Sequence, residues 1–415
     1  MKNWLHDMRL SALSAIVLAV MPGVALCATA AAAKDARASS ESDGAEDAQI
    51  REVDRDSAGR FRPFGDFRVR LEQDWDSLNG DGSKRDDRLR LRVRVRAGLD
   101  VKIDDNWSAV VAARSGPDLS QQSPHITIVD FENGPTGPYE FNLDHWYLKY
   151  GSGGFDAWVG RNAMSYWHQD DLFVFDNVTY PGLGASYKHG VGGGQLTLNL
   201  NYVALPVGMK ATSGTGLLGQ IVYAQDYERW GFTLAGGYFG TDADPDNPDG
   251  QTLLTENNTR DYSAMNLMAQ FRSRILDQPY YIGLDLMRNF EDYENAPAGS
   301  FSQLHKDDRD GYDIEFVLGD KGKQGDWQFG YYYSYLEALS AHSSYISDDW
   351  VRWGDANQVR ATNLKGSELR VLYSFSPTMN VFARLFFVDA IELLEAGDTT
   401  KETGNRFRIE LNIAF

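Results

Sequence analysis

Residues 88–101 read R-L-R-L-R-V-R-V-R-A-G-L-D-V, and this segment constrains the chain more than any other. Arg88, Arg90, Arg92, Arg94 and Arg96 fall on every second position, with Leu89, Leu91, Val93, Val95, Ala97, Leu99 and Val101 between and beyond them. A period of two puts the two sets on opposite faces of one β-strand. One face is continuously apolar and the other carries five guanidinium groups. If the charged face met hydrocarbon, each arginine near the bilayer midplane would cost about 2–4 kcal/mol. The three central ones would then cost on the order of 10 kcal/mol, as much as the net stability of a whole fold. The arginines must face an interior, with the aliphatic set turned outward.

The last nine residues, F-R-I-E-L-N-I-A-F, repeat the pattern. Phe407, Ile409, Leu411, Ile413 and Phe415 alternate with Arg408, Glu410, Asn412 and Ala414. A terminal strand ending on an aromatic residue resembles the closing strand of a Gram-negative outer-membrane barrel. By that resemblance Phe415 belongs to the signal read by the barrel-assembly machinery.

The N-terminus predicts export. Lys2 and Arg9 flank a short apolar run, Leu10 to Leu26, broken at Pro22-Gly23, and Ala28-Thr29-Ala30 fits a cleavage site. Residues 1–30 therefore read as a cleaved signal peptide. The one cysteine, Cys27, is preceded by Leu26, a poor fit to lipoprotein processing. The mature chain is expected to carry no thiol chemistry. Removing residues 1–30 takes away Lys2, Arg9 and Asp7, a net +1, so the formal charge moves from −19 to −20. Such acidity argues against a nucleic-acid partner. Residues 31–60 are densely charged and read as a disordered periplasmic lead-in.

From Phe64 onward the alternation predicts strands at 64–75, 87–102, 195–203, 230–239, 262–272, 280–290, 311–319, 327–336, 366–375, 381–389 and 405–415. Weaker segments at 107–115, 141–150, 155–161, 184–189 and 216–226 bring the count to sixteen. The reading is all-β: one transmembrane antiparallel β-barrel over residues 61–415. Short turns (104–106, 151–154, 190–194, 320–326, 376–380) alternate with long connections (116–140, 162–183, 241–261, 291–310, 337–365). Outer-membrane barrels divide periplasmic turns from external loops in this way. An even strand count returns both termini to the periplasmic side. Trp107, Trp146, Trp230, Trp327, Tyr150, Tyr280 and Phe375 lie near strand ends, where interfacial aromatic girdles form. A soluble β-sandwich would need neither feature.

Candidate chemistry is confined to the lumen and the loops. Arg68 and Arg70 share the inward face of the first strand with Asp66, Glu72 and Asp74. Arg406 and Arg408 share that of the last strand with Glu410. With the arginines of 88–96 they form one patch once the first and last strands pair. That patch is either a positive stripe concentrating anions in a low-dielectric channel or a structural ladder neutralised by carboxylates. Asp170, Asp171 and Asp176 lie on a connection whose Leu172 to Phe175 stretch is too apolar for a freely exposed tip, so it is expected to fold inward and narrow the pore, or else to cap the barrel wall or touch a neighbouring subunit. Asp242, Asp244, Asp246 and Asp249 have oxygen spacings that suit calcium, but the closing Glu is missing and a solvated acidic loop is the better reading. His168-Gln-Asp170-Asp171 fits a packed loop as well as a metal site. No cofactor is expected. No nucleophile constellation stands out: Ser186 and His189, at odd spacing, fall on opposite faces, so no enzyme is expected.

Several segments in order resemble the Putative porin family of Gram-negative outer membranes: G-D-F-R-V-R-L-E at 65–72, D-D-R-L-R-L-R-V-R-V-R-A-G-L at 86–99, V-G-R at 159–161, D-L-F-V-F-D-N-V-T-Y-P-G-L-G-A at 171–185, Y-Y-Y-S-Y-L-E at 331–337, S-D-D-W at 347–350 and T-N-L-K-G-S-E-L at 362–369. The opening, the arginine-rich strand and V-G-R also resemble the alginate-export barrels. The resemblance implies passive diffusion of small solutes first, with the arginine stripe pointing to anionic ones, and export of an acidic polysaccharide second. A plugged structural or adhesive barrel is a third class. Outer-membrane lipid and lipopolysaccharide are the implied surroundings, with the chain as a monomer or homotrimer.

Overall fold

The computed structural model describes residues 59–173, 177–242, 261–350, 361–394 and 397–415. Seventeen antiparallel strands form one closed sheet: β1 (Phe61–Leu78), β2 (Arg88–Lys102), β3 (Trp107–Ser115), β4 (Ile126–Asp130), β5 (Phe141–Ser152), β6 (Phe155–Asn162), β7 (Tyr180–Val191), β8 (Gly194–Val207), β9 (Ala211–Asp226), β10 (Trp230–Asp242), β11 (Tyr262–Ile275), β12 (Gln278–Asn289), β13 (Asp310–Gly319), β14 (Trp327–Leu336), β15 (Leu364–Ser376), β16 (Met379–Ala390) and β17 (Thr403–Ala414). β2 pairs with β3 through Arg96↔Arg114 and with β4 through Arg90↔Asp130. These two strands lie end to end and share one place in the wall, so the barrel has sixteen staves. All sixteen predicted segments are strands. β4 is the one the alternation did not disclose, because it is five residues long.

Closure follows from the terminal pattern. β17 pairs with β1 in register Arg408↔Glu72 and Arg406↔Asp74. Gly65 and Phe415 exchange both backbone hydrogen bonds, at 2.9 and 3.0 Å. Gly65 is required there. A Cβ at that position would sit 2.5 Å from the Arg96 carbonyl oxygen and 2.7 Å from the Phe415 ring.

The alternation sorts by solvent as the arginine argument demands. Leu234, Leu267, Ile282, Leu284, Ile314, Phe316, Phe329 and Leu369 are exposed on the outer face, whereas Arg68, Arg70, Glu72, Arg94, Arg406, Arg408 and Glu410 are buried inside. Outward apolar groups meeting lipid and inward polar groups meeting the lumen is the barrel's solution to the membrane. Near the short-turn rim Trp107 packs on Tyr150 at 4.9 Å, Trp230 on Tyr227 at 4.3 Å and Trp327 on Tyr373 at 4.7 Å. Tyr280 bridges towards Phe271 and Phe316 at 6.4 and 6.1 Å. Residues 1–30, nearly all of 31–60, and Asp176, Asp244, Asp246 and Asp249 lie outside the described residues.

Candidate functional site: the packed lumen

Three neighbouring staves carry the arginine patch. Glu72 lies at its centre. Its Oε2 is 2.6 Å from Arg408 Nε, and its Oε1 accepts from Arg90 and stands 3.4 Å from Arg92 Nη1. Glu410 takes Arg70 at 2.5 Å and Arg68 at 3.1 Å. Asp74 takes Arg406 at 2.6 Å and Arg90 at 3.3 Å. Asp66 takes Arg94 at 2.9 Å and Arg96 at 2.5 Å, and Arg88 reaches Asp130 at 2.6 Å. All nine arginines singled out from sequence are therefore brought together on one wall and ion-paired, chiefly with wall carboxylates. Register supplies the partners: Glu72 lies opposite Arg90 on one side and Arg408 on the other.

The same wall extends further than the alternation alone revealed. Arg384 on β16 and Arg370 on β15 grip Glu368 at 2.5 and 2.8 Å. Arg114 on β3 donates to the carbonyl oxygens of Asn177, Ser120 and Gln121 at 2.6–2.9 Å. Arg161 on β6 donates to the Met209 carbonyl at 2.7 Å. These last two hold loop backbone. A lone arginine among weakly alternating residues gives little signal of that role.

Three connections enter the lumen. The segment after β6 crosses towards the far wall: the Tyr166 hydroxyl donates to Asn266 Oδ1 at 2.8 Å, the Trp167 amide to Gln220 Oε1 at 2.8 Å and Gln169 Nε2 to the Leu284 carbonyl at 3.0 Å. Asp170, Asp171, Leu172 and Phe173 are buried there, and Gly283 leaves room for Gln169 beside Glu315. The segment after β14 adds Tyr345, Ile346 and Trp350, with Trp350 edge-on to Phe386 at 5.6 Å. The segment after β3 joins it through Gln121 and Gln122, whose side-chain amides donate to the carbonyl oxygens of Ser344, Ser343 and Ile346 at 2.7–2.9 Å. Among the described residues these three loops meet the inner wall and one another in the lumen. The space left beside Arg70, Arg92 and Arg408 has room for about one water.

Loop groups at this junction have displaced protonation. Burial, with Arg70 and Arg92 nearby, holds the His125 imidazole well below its ordinary range. Burial lowers His342 to about 3. Burial alone would raise the Asp349 carboxyl, but Arg408 and Arg384 outweigh it and hold the group far below the usual carboxylate range. Elsewhere, Asp242 ends β10 in an exposed position, and His168 Nδ1 lies 2.6 Å from the Asp170 carbonyl. No group of three or more His, Cys, Asp or Glu able to hold a metal ion occurs among the described residues.

A closed sixteen-stave antiparallel barrel with an apolar outer belt and a charged interior defines a porin-type barrel of the outer membrane. The family model described as "Putative porin" matches residues 79–249, and the resemblance read from the motifs stands with it. The motifs at 65–72 and from 331 onward lie beyond the matched span. Among solved structures, OprB of Pseudomonas putida, in a high-pH structure, superposes with a TM-score of 0.51 at 13% identity, covering 86% of this chain and 94% of that one. OmpF of Salmonella typhi and a trimer form of OmpT of Vibrio cholerae follow at 0.46 and 0.45. Their identities are 12% and 11%, covering 86% of this chain and 97% and 100% of theirs. At such identities the OprB likeness speaks for the fold alone. No curated protein sequence matches the chain.

Proposed function

We propose that this protein is an outer-membrane channel for passive diffusion of small anionic solutes, with both termini in the periplasm. The observation that carries the reading is the concentration of guanidinium groups on adjoining inward faces of β17, β1 and β2. There Arg68, Arg70, Arg88, Arg90, Arg92, Arg94, Arg96, Arg406 and Arg408 outnumber Asp66, Glu72, Asp74 and Glu410. Arginine stays charged at any working pH, so this excess cannot be titrated away. Carboxylates in exposed loops contribute little at the wall, because salt screens them over about 8–10 Å. The loop bearing Asp170, Asp171 and Asp176 narrows the path. Lipid and lipopolysaccharide surround the barrel, the assembly machinery reads Phe415, and a homotrimer is the assembly to test by crosslinking.

Replacing Arg90, Arg92 and Arg94 together by Gln should move the zero-current potential in a KCl gradient towards cation preference. It should also reduce dicarboxylate flux. A wild-type channel that already prefers cations, or a triple variant with unchanged selectivity, would reduce the arginines to a neutralised ladder. The packed lumen favours a second reading, a plugged barrel of structural role. Planar-bilayer conductance separates the two, because a plugged barrel stays silent in salt gradients and with added solutes. Secretion of an acidic polysaccharide through the barrel would favour the export reading instead.

A further inference from the structure

Asp349 occupies a position that a solute carboxylate would take. It arrives on the loop between β14 and β15, 5% exposed, and its two oxygens bridge separate arginines of the wall. Oδ2 accepts from Arg384 Nη1 at 2.6 Å, and Oδ1 forms an ion pair with Arg408 Nη1. A carboxylate spanning two guanidinium groups is the strong, charge-assisted arrangement by which arginine recognises carboxylates. The water-sized space beside it is lined by Arg70, Arg92, Arg408 and His125 as well as by Asp348 and Asp349. The His125 Nε2, on a side chain 6% exposed, has no hydrogen-bond partner there. Glu72 and Glu410 already neutralise part of the charge, yet the wall binds one more carboxylate. The one it binds is tethered to a loop whose described residues enter the lumen.

We propose that Arg384 and Arg408, with Arg70 and Arg92 beside them, form a carboxylate-binding site that Asp349 occupies as an internal ligand, and that solutes bearing a carboxylate open the channel by displacing it. This rests on the anion-channel reading and deepens it, naming the ligand class and the means of opening. Displacement exchanges one carboxylate for another, so the net charge of the site is conserved and the loop leaves without baring the arginines. Trp350, next in sequence and 1% exposed, must leave Phe386 when the loop does. Its exposure therefore reports the event.

The test uses the full-length purified protein in planar bilayers, with acetate and glutarate as probes and chloride and glucose as controls. In the wild type, glutarate at constant ionic strength should raise the open fraction saturably, by about tenfold for a coupling of ordinary size, while glucose leaves it unchanged. Asp349→Asn should be open from the start and insensitive to glutarate; Asp349→Glu, retaining a carboxylate, should stay largely closed. Should Asp349→Asn fail to fold, acrylamide quenching of wild-type protein against Trp350→Phe serves instead, and glutarate should increase the quenching that the Trp350→Phe variant lacks. An anion-selective channel in which Asp349→Asn keeps the wild-type open fraction, or in which glutarate acts no more than chloride, overturns this inference alone. A channel without anion preference overturns the reading beneath it.

Discussion

Two buried histidines couple the lumen loops to pH. His342 lies between Tyr345 and Tyr262, with tilted rings whose centroids are 4.5 and 4.7 Å from its own, and burial lowers it to about 3. Released from the lumen, it would titrate near 6.5. The released state therefore binds more protons below that pH, and the docked state loses relative stability as pH falls. At pH 5 the loss is about 2 kcal/mol for His342 alone, and His125, also held low, adds in the same direction. Asp349 does not oppose this. Its depressed pKa adds docked-state stability wherever the released carboxyl is ionised, and that stability falls away only below the ordinary carboxylate range. Hydrogen exchange over 116–125 and 337–350 should accelerate between pH 7 and pH 5, and His342→Phe should blunt the effect. Protection that is flat across this range would mean the imidazoles remain docked and protonated.

At the scale of an element, β2 owes its place to alternation and β6 and β7 to their pairing. Asn162 lies directly opposite Tyr180, so the wall needs only a tight connection there. Seventeen residues separate them, and the described ones after Asn162 make an inward excursion anchored by Tyr166, Trp167 and Gln169. Deleting 165–178 leaves three residues to join the two strands, enough for a hairpin. The barrel should therefore still form, and single-channel conductance should rise several-fold if the excursion narrows the path. An unchanged conductance in a correctly inserted variant would assign the narrowing to the loop after β14.

Among the described residues the strands form a closed sheet, and pairing β1 with β17 leaves neither terminal strand with a free edge at the seam. Closure rests on β1 meeting β17 over eleven registered pairs. The purified protein should show β-dominated circular dichroism and migrate on gels as a compact form until boiled. It should also fractionate with the outer membrane. Recovery as soluble periplasmic protein would be incompatible with the exposed belt of Leu234, Leu267, Ile282 and Phe316.

What the sequence determined by itself was the wall. Side-chain alternation is a local property of a strand, so Arg88 to Arg96 and Phe407 to Phe415 declared their two faces without any partner, and sixteen such segments gave the barrel. The burial of Leu172 and Phe173 was legible too, since hydrocarbon groups must leave water. Tertiary structure decided the pairings and the plug. Glu72 meets Arg408 across 336 positions of sequence and Arg384 meets Asp349 across 35. Such partners depend on register and on loop paths that no local pattern encodes. Gln121, Ser344 and Asp349 look like ordinary polar loop residues in the sequence. They became interior groups because the barrel offered buried arginines and carbonyls whose hydrogen bonds had to be met away from water.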